Sequence, residues 1–186
     1  VDFLAAAVEE EVAAVEERVK KGIDKKHIKD LIYYSKTDKK VQKYTSDSIR
    51  YKSLKSFEKY ISKTKTVCYS LVGKNNDLAG IALFRFKNIP QKRFLERISS
   101  EIFGITFAIR IYGEYRGKGL AFGFMSDVFD KFTKSKDYKK KKNNKFWIMV
   151  SKDNIPAIRT YERFGFVKMT KPDEKGKFLM ICRKSF

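Results

Sequence analysis

The chain has 186 residues, of which 42% are hydrophobic and 15% aromatic, with 16 Phe and ten Tyr. That is enough for one domain with a packed core, and too aromatic for a globally disordered chain. Two cysteines, Cys68 and Cys182, and a single histidine, His27, exclude a disulfide-built scaffold and a Cys-clustered or His-rich metal site.

Forty-two Lys+Arg against 22 Asp+Glu give a formal net charge of +20, which attracts polyanions at low salt. The excess is uneven: residues 1–30 hold eight acids and six bases, and the remainder holds 14 acids and 36 bases. Most bases are Lys, which acts as a point charge rather than a hydrogen-bonding fork. Lys enrichment also arises from A-rich coding sequence alone, so a solvated basic face and an anionic partner both stand. No apolar run approaches the roughly 20 residues needed to span a bilayer. The apolar start is followed by Glu9, Glu10 and Glu11, whereas a secretory signal places a basic segment before its apolar one.

Residues 2–21 read as a helix: Leu4, Val8, Val12, Val15 and Val19 form one stripe, Asp2 caps it and Gly22 ends it. A second helix starts at Asp24 and carries Ile28, Leu31 and Ile32. Residues 36–47 read as a polar loop. Ser46 or Asp47 then caps a helix holding Leu54, Phe57 and Ile61. Residues 67–72 and 78–86 form a hairpin around a Gly73 to Asp77 turn. A short helix is expected at 91–98. Residues 105–112 alternate as a strand, with Phe107, Ile109 and Ile111 against Ala108 and Arg110. A helix follows at 120–132, and 146–150 is a wholly apolar strand. Residues 155–164 form a helix with Pro156 in its first turn, and two strands close the chain near 166–169 and 178–182. No convincing strand precedes Ile49; 40–44 is the one candidate. His27 has no motif around it and reads as exposed.

The segment Arg116-Gly117-Lys118-Gly119-Leu120-Ala121 joins a strand to a helix. The first amides of a helix have no intrahelical partner and point outward, the helix dipole adds positive potential, and glycine permits a sharp turn and close approach of an anion. This is the chemistry of a pyrophosphate site. The turn lacks the P-loop pattern and the Gly-x-Gly-x-x-Gly dinucleotide pattern. Alone, six residues also fit a plain tight turn. About 40 residues later comes a second motif, Asn154-Ile155-Pro156-Ala157-Ile158-Arg159-Thr160-Tyr161-Glu162-Arg163-Phe164-Gly165-Phe166.

Together, in this order, the two motifs resemble those of the GNAT acetyltransferase superfamily. Arg116, Gly119 and Ala121 fit its phosphate motif, and Asn154, Ala157, Tyr161, Gly165 and Phe166 fit its later helix. The resemblance implies an α/β fold: a mixed, mainly antiparallel sheet of about six or seven strands, with helices on both faces and a splayed central strand pair. It implies acetyl-CoA as cofactor, its pyrophosphate on the amides of Arg116, Gly117, Lys118, Gly119, Leu120 and Ala121. The pantetheine arm would lie along Phe107, Ile109 and Ile111 and meet Asn154. Tyr161 would protonate the departing thiolate, since a phenol of pKa about 10 suits that task. Asn154 also reads as a helix N-cap, and Tyr161 as a packed aromatic.

The resemblance fixes no general base. Glu114 and Glu101 are candidates, and both also read as solvated acids. Residues 1–35 are expected to be a helical extension, and 36–186 the acetyltransferase domain, with a homodimer as one use of the extension. The run from Lys134 to Lys145 is expected to be either a solvated loop or a contact for RNA, DNA or an acidic protein. The leading expectation is a cytoplasmic N-acetyltransferase acting on an amine acceptor, with no membrane and no metal. A basic enzyme favours an amine presented on a ribosomal protein, an aminoacyl-tRNA or a nucleoid protein over a polyamine or aminoglycoside. The alternative is a non-catalytic nucleic-acid-binding or scaffold protein on the same fold.

Overall fold

The computed structural model describes residues 18–89, 103–140 and 145–186. Its strands are β1 (Val19–Lys21), β2 (Thr66–Val72), β3 (Leu78–Phe86), β4 (Ile105–Ile111), β5 (Phe146–Ser151), β6 (Phe166–Lys168) and β7 (Lys177–Cys182). They form one seven-stranded sheet in the order β1-β2-β3-β4-β5-β7-β6. Every neighbouring pair is antiparallel except β4 with β5. This is the mixed α/β architecture expected from the two motifs.

The helices are α1 (Lys25–Thr37), α2 (Lys39–Tyr44), α3 (Asp47–Arg50), α4 (Leu54–Lys63), α5 (Leu120–Thr133), α6 (Lys136–Lys139) and α7 (Ile155–Phe164). Their ends have local causes. Ser53 and Ser56 form a reciprocal capping box at the start of α4. Gly165 closes α7 in the left-handed region, at φ +112.

Alternation along β4 and β5 separates two faces. Ile105 and Phe107 of β4, with Phe146, Ile148 and Val150 of β5, pack against α5 and α7 in one large core. On the opposite face there are two smaller cores. Ala108 and Tyr112 join Ile28, Leu31, Val41, Tyr51 and Phe57 under α1, α2 and α4. Trp147, Leu179 and Ile181 pack separately with Phe103.

Several expectations need correction. Residues 1–17 lie outside the described residues, but the end of the helix expected at 2–21 is strand β1: Val19, Lys20 and Lys21 pair with Leu71, Ser70 and Tyr69. The Val19 side chain joins the large core, so tertiary pairing overrides helical periodicity here. The candidate strand at 40–44 and the loop at 36–47 are replaced by α2, whose N-cap Asp38 accepts from the amides of Lys40 and Val41. The single helix expected across 47–61 is two, α3 and α4. His27 is fully buried rather than exposed, and its Nε2 lies 3.0 Å from the Asn76 carbonyl oxygen. The helix expected at 91–98 lies outside the described residues. Within the basic run, Lys136–Lys139 is a helical turn capped by Ser135, and 141–144 lie outside the described residues.

Candidate active site

The one parallel pair opens after two rungs. Ile105 pairs with Phe146 and Thr106 with Trp147, and no later rung joins β4 to β5. β4 nevertheless stays paired with β3 as far as Ile111, and β5 with β7 as far as Ser151. The apex is closed by the Ile105 amide, which donates to the Lys145 carbonyl at 3.3 Å.

The register decides which backbone groups face this split. The Lys87 amide donates to the Gly104 carbonyl, and the Tyr112 amide to the Ala79 carbonyl, each at 2.8 Å. In an antiparallel ladder such positions recur every second residue, so Thr106, Ala108 and Arg110 direct their backbone groups at β3. Phe107, Ile109 and Ile111 direct theirs the other way, into the split. An extended arm with amide groups of its own could pair there as an added strand.

Tyr161, on α7, is 7% exposed. Its ring meets Phe107 edge-on at 6.5 Å and lies 5.7 Å from Phe166. Burial pushes its pKa up to about 12, and the Arg110 charge and the polarity of the nearby Ile109 backbone offset only part of that. The value of about 10 assumed from the sequence is thus too low, and the proton is held more firmly than a free phenol holds it. Alternation turns the amides of both Ile109 and Ile111 into the split.

The turn before α5 is shaped for an anion. Gly117 and Gly119 adopt φ +77 and +76, and no atom lies within 4 Å of where a Cβ would stand on either. Gly119 is the N-cap of α5 and brings no side chain over its first amides. Those amides, from Leu120 and Ala121 onward, lack intrahelical partners. The Lys118 ammonium stands over the Tyr115 ring at 5.6 Å. The Arg116 guanidinium donates to Asp38, so this side chain ties the turn to the N-cap of α2. Burial pushes the Asp38 carboxyl up, but the bonds from Arg116 and the Val41 and Lys40 amides outweigh it and hold the group below its ordinary range.

Asn154 occupies the N-cap position of α7 without making a side-chain cap hydrogen bond. Glu114 is exposed on the short 3-10 turn Gly113–Tyr115. Glu101 lies outside the described residues. The structure therefore brings Tyr161 to β4 and leaves Glu114 at the surface.

Sequence reasoning missed a buried ion pair on the other face of β4. Arg110 donates to Asp47 through Nε at 2.7 Å and Nη2 at 3.0 Å, and the side chains are 10% and 1% exposed. Burial alone would lower the Arg110 pKa, but Asp47 raises it above the ordinary value. It also missed Tyr44, whose hydroxyl donates to the Asp153 carbonyl at 3.2 Å, linking α2 to the loop that carries Asn154.

The acetyl-CoA that the motifs imply fits these residues. The positive-φ glycines leave open space over outward amides, the split presents a row of backbone groups, and Asn154 has no cap bond.

The chain belongs to the acetyltransferase (GNAT) family, whose model matches residues 34–166. Solved structures agree in fold. A spermidine N-acetyltransferase from Vibrio cholerae, in complex with CoA and spermine, is 15% identical, with a TM-score of 0.62 over 89% of this chain and 94% of that one. AAC(6')-Ib in complex with paromomycin and acetyl-CoA is 16% identical, with a TM-score of 0.62 over 88% and 92%. An uncharacterised protein from Bacillus halodurans is 14% identical, with a TM-score of 0.65 over 88% and 82%. No curated protein matches the sequence. Among the described residues, no helix is long and apolar enough to cross a membrane.

Proposed function

We propose that the protein is an acetyl-CoA-dependent N-acetyltransferase that passes the acetyl group directly to an amine. The observation carrying this reading is the split between β4 and β5, with Tyr161 at its wall, its ring edge-on to Phe107 of β4. Bound acetyl-CoA supplies an activated acetyl thioester. The amides that open α5 hold the pyrophosphate, with Gly117 and Gly119 giving the backbone room to approach it. Phe107, Ile109 and Ile111 pair with the arm, and Asn154 bonds it. Tyr161 keeps a proton on Oη for the thiolate that leaves. The Ile111 amide offers a donor to the carbonyl oxygen. Glu114, exposed beside the phosphate turn, is the candidate to take the proton of the attacking ammonium. No enzyme nucleophile is needed, which suits a chain with one histidine committed to the Asn76 carbonyl.

The acceptor we favour is an amine on a protein or an RNA-linked carrier. The spermine and paromomycin of the solved relatives are cations, whereas this chain carries +20. The test is calorimetric titration with acetyl-CoA and CoA at about 0.3 M salt, which suppresses nonspecific polyanion binding. One-to-one binding is expected. Tyr161→Phe should keep that binding and lower turnover at least about 100-fold. Absence of heat with both ligands would leave the non-catalytic binding protein as the better account.

A further inference from the structure

The helical layer over β2 to β4 carries a charge that the acetyltransferase reading leaves unused. Between Lys20 and Lys65 there are 15 Lys or Arg and five Asp or Glu. Two of those acids are turned inward onto arginines from elsewhere, Asp38 onto Arg116 and Asp47 onto Arg110. Their charge is spent inside the fold. Fourteen of the bases are lysines, and all fourteen are exposed.

Their arrangement on α1 is one-sided. At about 100° per residue, Lys25, Lys36, Lys29, Tyr33 and Lys26 fall within one sector of roughly 100°, and no acid falls among them. His27, Ile28, Leu31 and Ser35 lie on the opposite side, and all four are buried. Tyr33 is 63% exposed in the middle of this lysine stripe. It is also the outer member of a row of rings. Tyr33 meets Tyr34 edge-on at 5.7 Å, and Tyr34 stacks on Tyr112 at 4.7 Å with ring planes 1° apart. Tyr112 directly follows β4. At the next helix, Lys43 lies over the Tyr44 ring at 5.1 Å, and Tyr44 bonds the loop of Asn154.

From these features we infer that the outer face of α1 and α2 is a nucleic-acid-binding surface, with the lysines on the sugar-phosphate backbone and Tyr33 stacking against an unpaired base. A stripe of lysine point charges without forked donors suits a phosphate polymer and does not read its sequence. An exposed aromatic among them is what a single strand adds to such a groove. The row from Tyr33 to Tyr112 points the bound strand at the end of β4, beside the split. Binding itself is independent of the proposed acetyl transfer. That the surface delivers the acceptor rests on that reading.

The experiment measures fluorescence anisotropy of the whole chain with a labelled 20-nucleotide single-stranded RNA, the matching duplex DNA and poly-glutamate, between about 50 and 200 mM KCl. The triple variant Lys25→Gln, Lys29→Gln, Lys36→Gln and the variant Tyr33→Ala are compared with the parent after thermal melting has verified folding. The parent should bind RNA with a steep salt slope. Removing three phosphate contacts should flatten that slope by about 2 and weaken binding about 100-fold near 0.1 M salt. Tyr33→Ala should weaken single-stranded RNA about tenfold and leave duplex DNA unchanged. Poly-glutamate binding as tight as RNA binding would overturn the choice of nucleic acid. Unchanged RNA affinity in the triple variant would overturn the surface. So would loss of binding only when Lys134, Lys136 and Lys139 are neutralised, which assigns any polyanion contact to that run. Adding acetyl-CoA separates the two proposals: RNA binding with no acetyl-CoA binding keeps this surface while the enzyme reading fails.

Discussion

Replacing Asp47 by alanine strands a full charge inside the protein. Arg110 is held by two hydrogen bonds of 2.7 and 3.0 Å, and its side chain is 10% exposed. Around it lie Tyr51 and Tyr112, both buried and neutral, with burial pushing each phenol above its ordinary pKa. Neither phenol can take over as a counter-charge near neutral pH. Removing one member of such a pair costs about 3–5 kcal/mol, because the other charge stays buried and unpaired. Against a total stability of about 5–15 kcal/mol for a domain, that is a large fraction. The double variant Asp47→Leu, Arg110→Met removes both charges and keeps the volume, so it should lie near or above the parent. Urea unfolding followed by the emission of Trp147, the single tryptophan and 3% exposed, reports both. A single variant losing less than about 1 kcal/mol would refute the reasoning, because Arg110 would then have reached water. A double variant as unstable as the single would refute it too.

Two further outcomes follow from the phosphate turn and the buried phenols. Gly119→Ala should cost about 1 kcal/mol of stability, because φ +76 disfavours a side chain. It should weaken acetyl-CoA at least about tenfold by placing a methyl where the proposed function seats the pyrophosphate, and unchanged affinity by calorimetry would remove the turn from the cofactor site. Tyr51, Tyr112 and Tyr161 are at most 7% exposed and have raised pKa values. An unfolded phenol ionises near pH 10, so in this range the folded state binds more protons than the unfolded one. Stability should hold below about pH 10 and fall from there toward pH 12 by about 4 kcal/mol per unit for the three groups; a flat alkaline profile in urea unfolding would contradict their burial.

The sheet from β2 to β7 was legible because its strands announce themselves locally. Phe146 to Val150 is continuously apolar, and Ile105 to Ile111 alternates. β1 could not be read that way. It has three residues at the sheet edge, and its only instruction is the pairing of Val19 to Lys21 with Leu71 to Tyr69. α2 has one buried residue, Val41, and its cap Asp38 is gripped by Arg116 from 78 residues away. His27 did leave a signal, since it stands four residues before Leu31 and eight before Ser35, both buried. For the candidate site, the motifs singled out Tyr161, Asn154 and the turn at 116–121. They carried no information on Arg110 and Asp47, which lie 63 residues apart. Within β4, alternation put Arg110 on the face opposite Phe107 and Ile109, but gave no sign that helices cover that face as well.

The split has a structural cause that does not invoke a cofactor. One face of the sheet has a continuous core, in which Phe84, Phe129 and Phe132 meet Phe146 near the apex at centroid distances of 4.8 to 6.1 Å. On the other face the core is two separate clusters, one serving β2 to β4 and one serving β5 and β7. No buried cluster on that second face bridges β4 to β5 beyond Trp147 among the described residues. The two halves are thus pinned together at the ring cluster and by the rungs at Ile105 and Thr106, and diverge beyond them. Backbone groups left without a ladder must find other partners when buried. The inward backbone groups of Phe107, Ile109 and Ile111 are left for other partners, and under the proposed function an extended amide-bearing arm would be their complement. The same packing that breaks the sheet therefore defines the shape of what fills it.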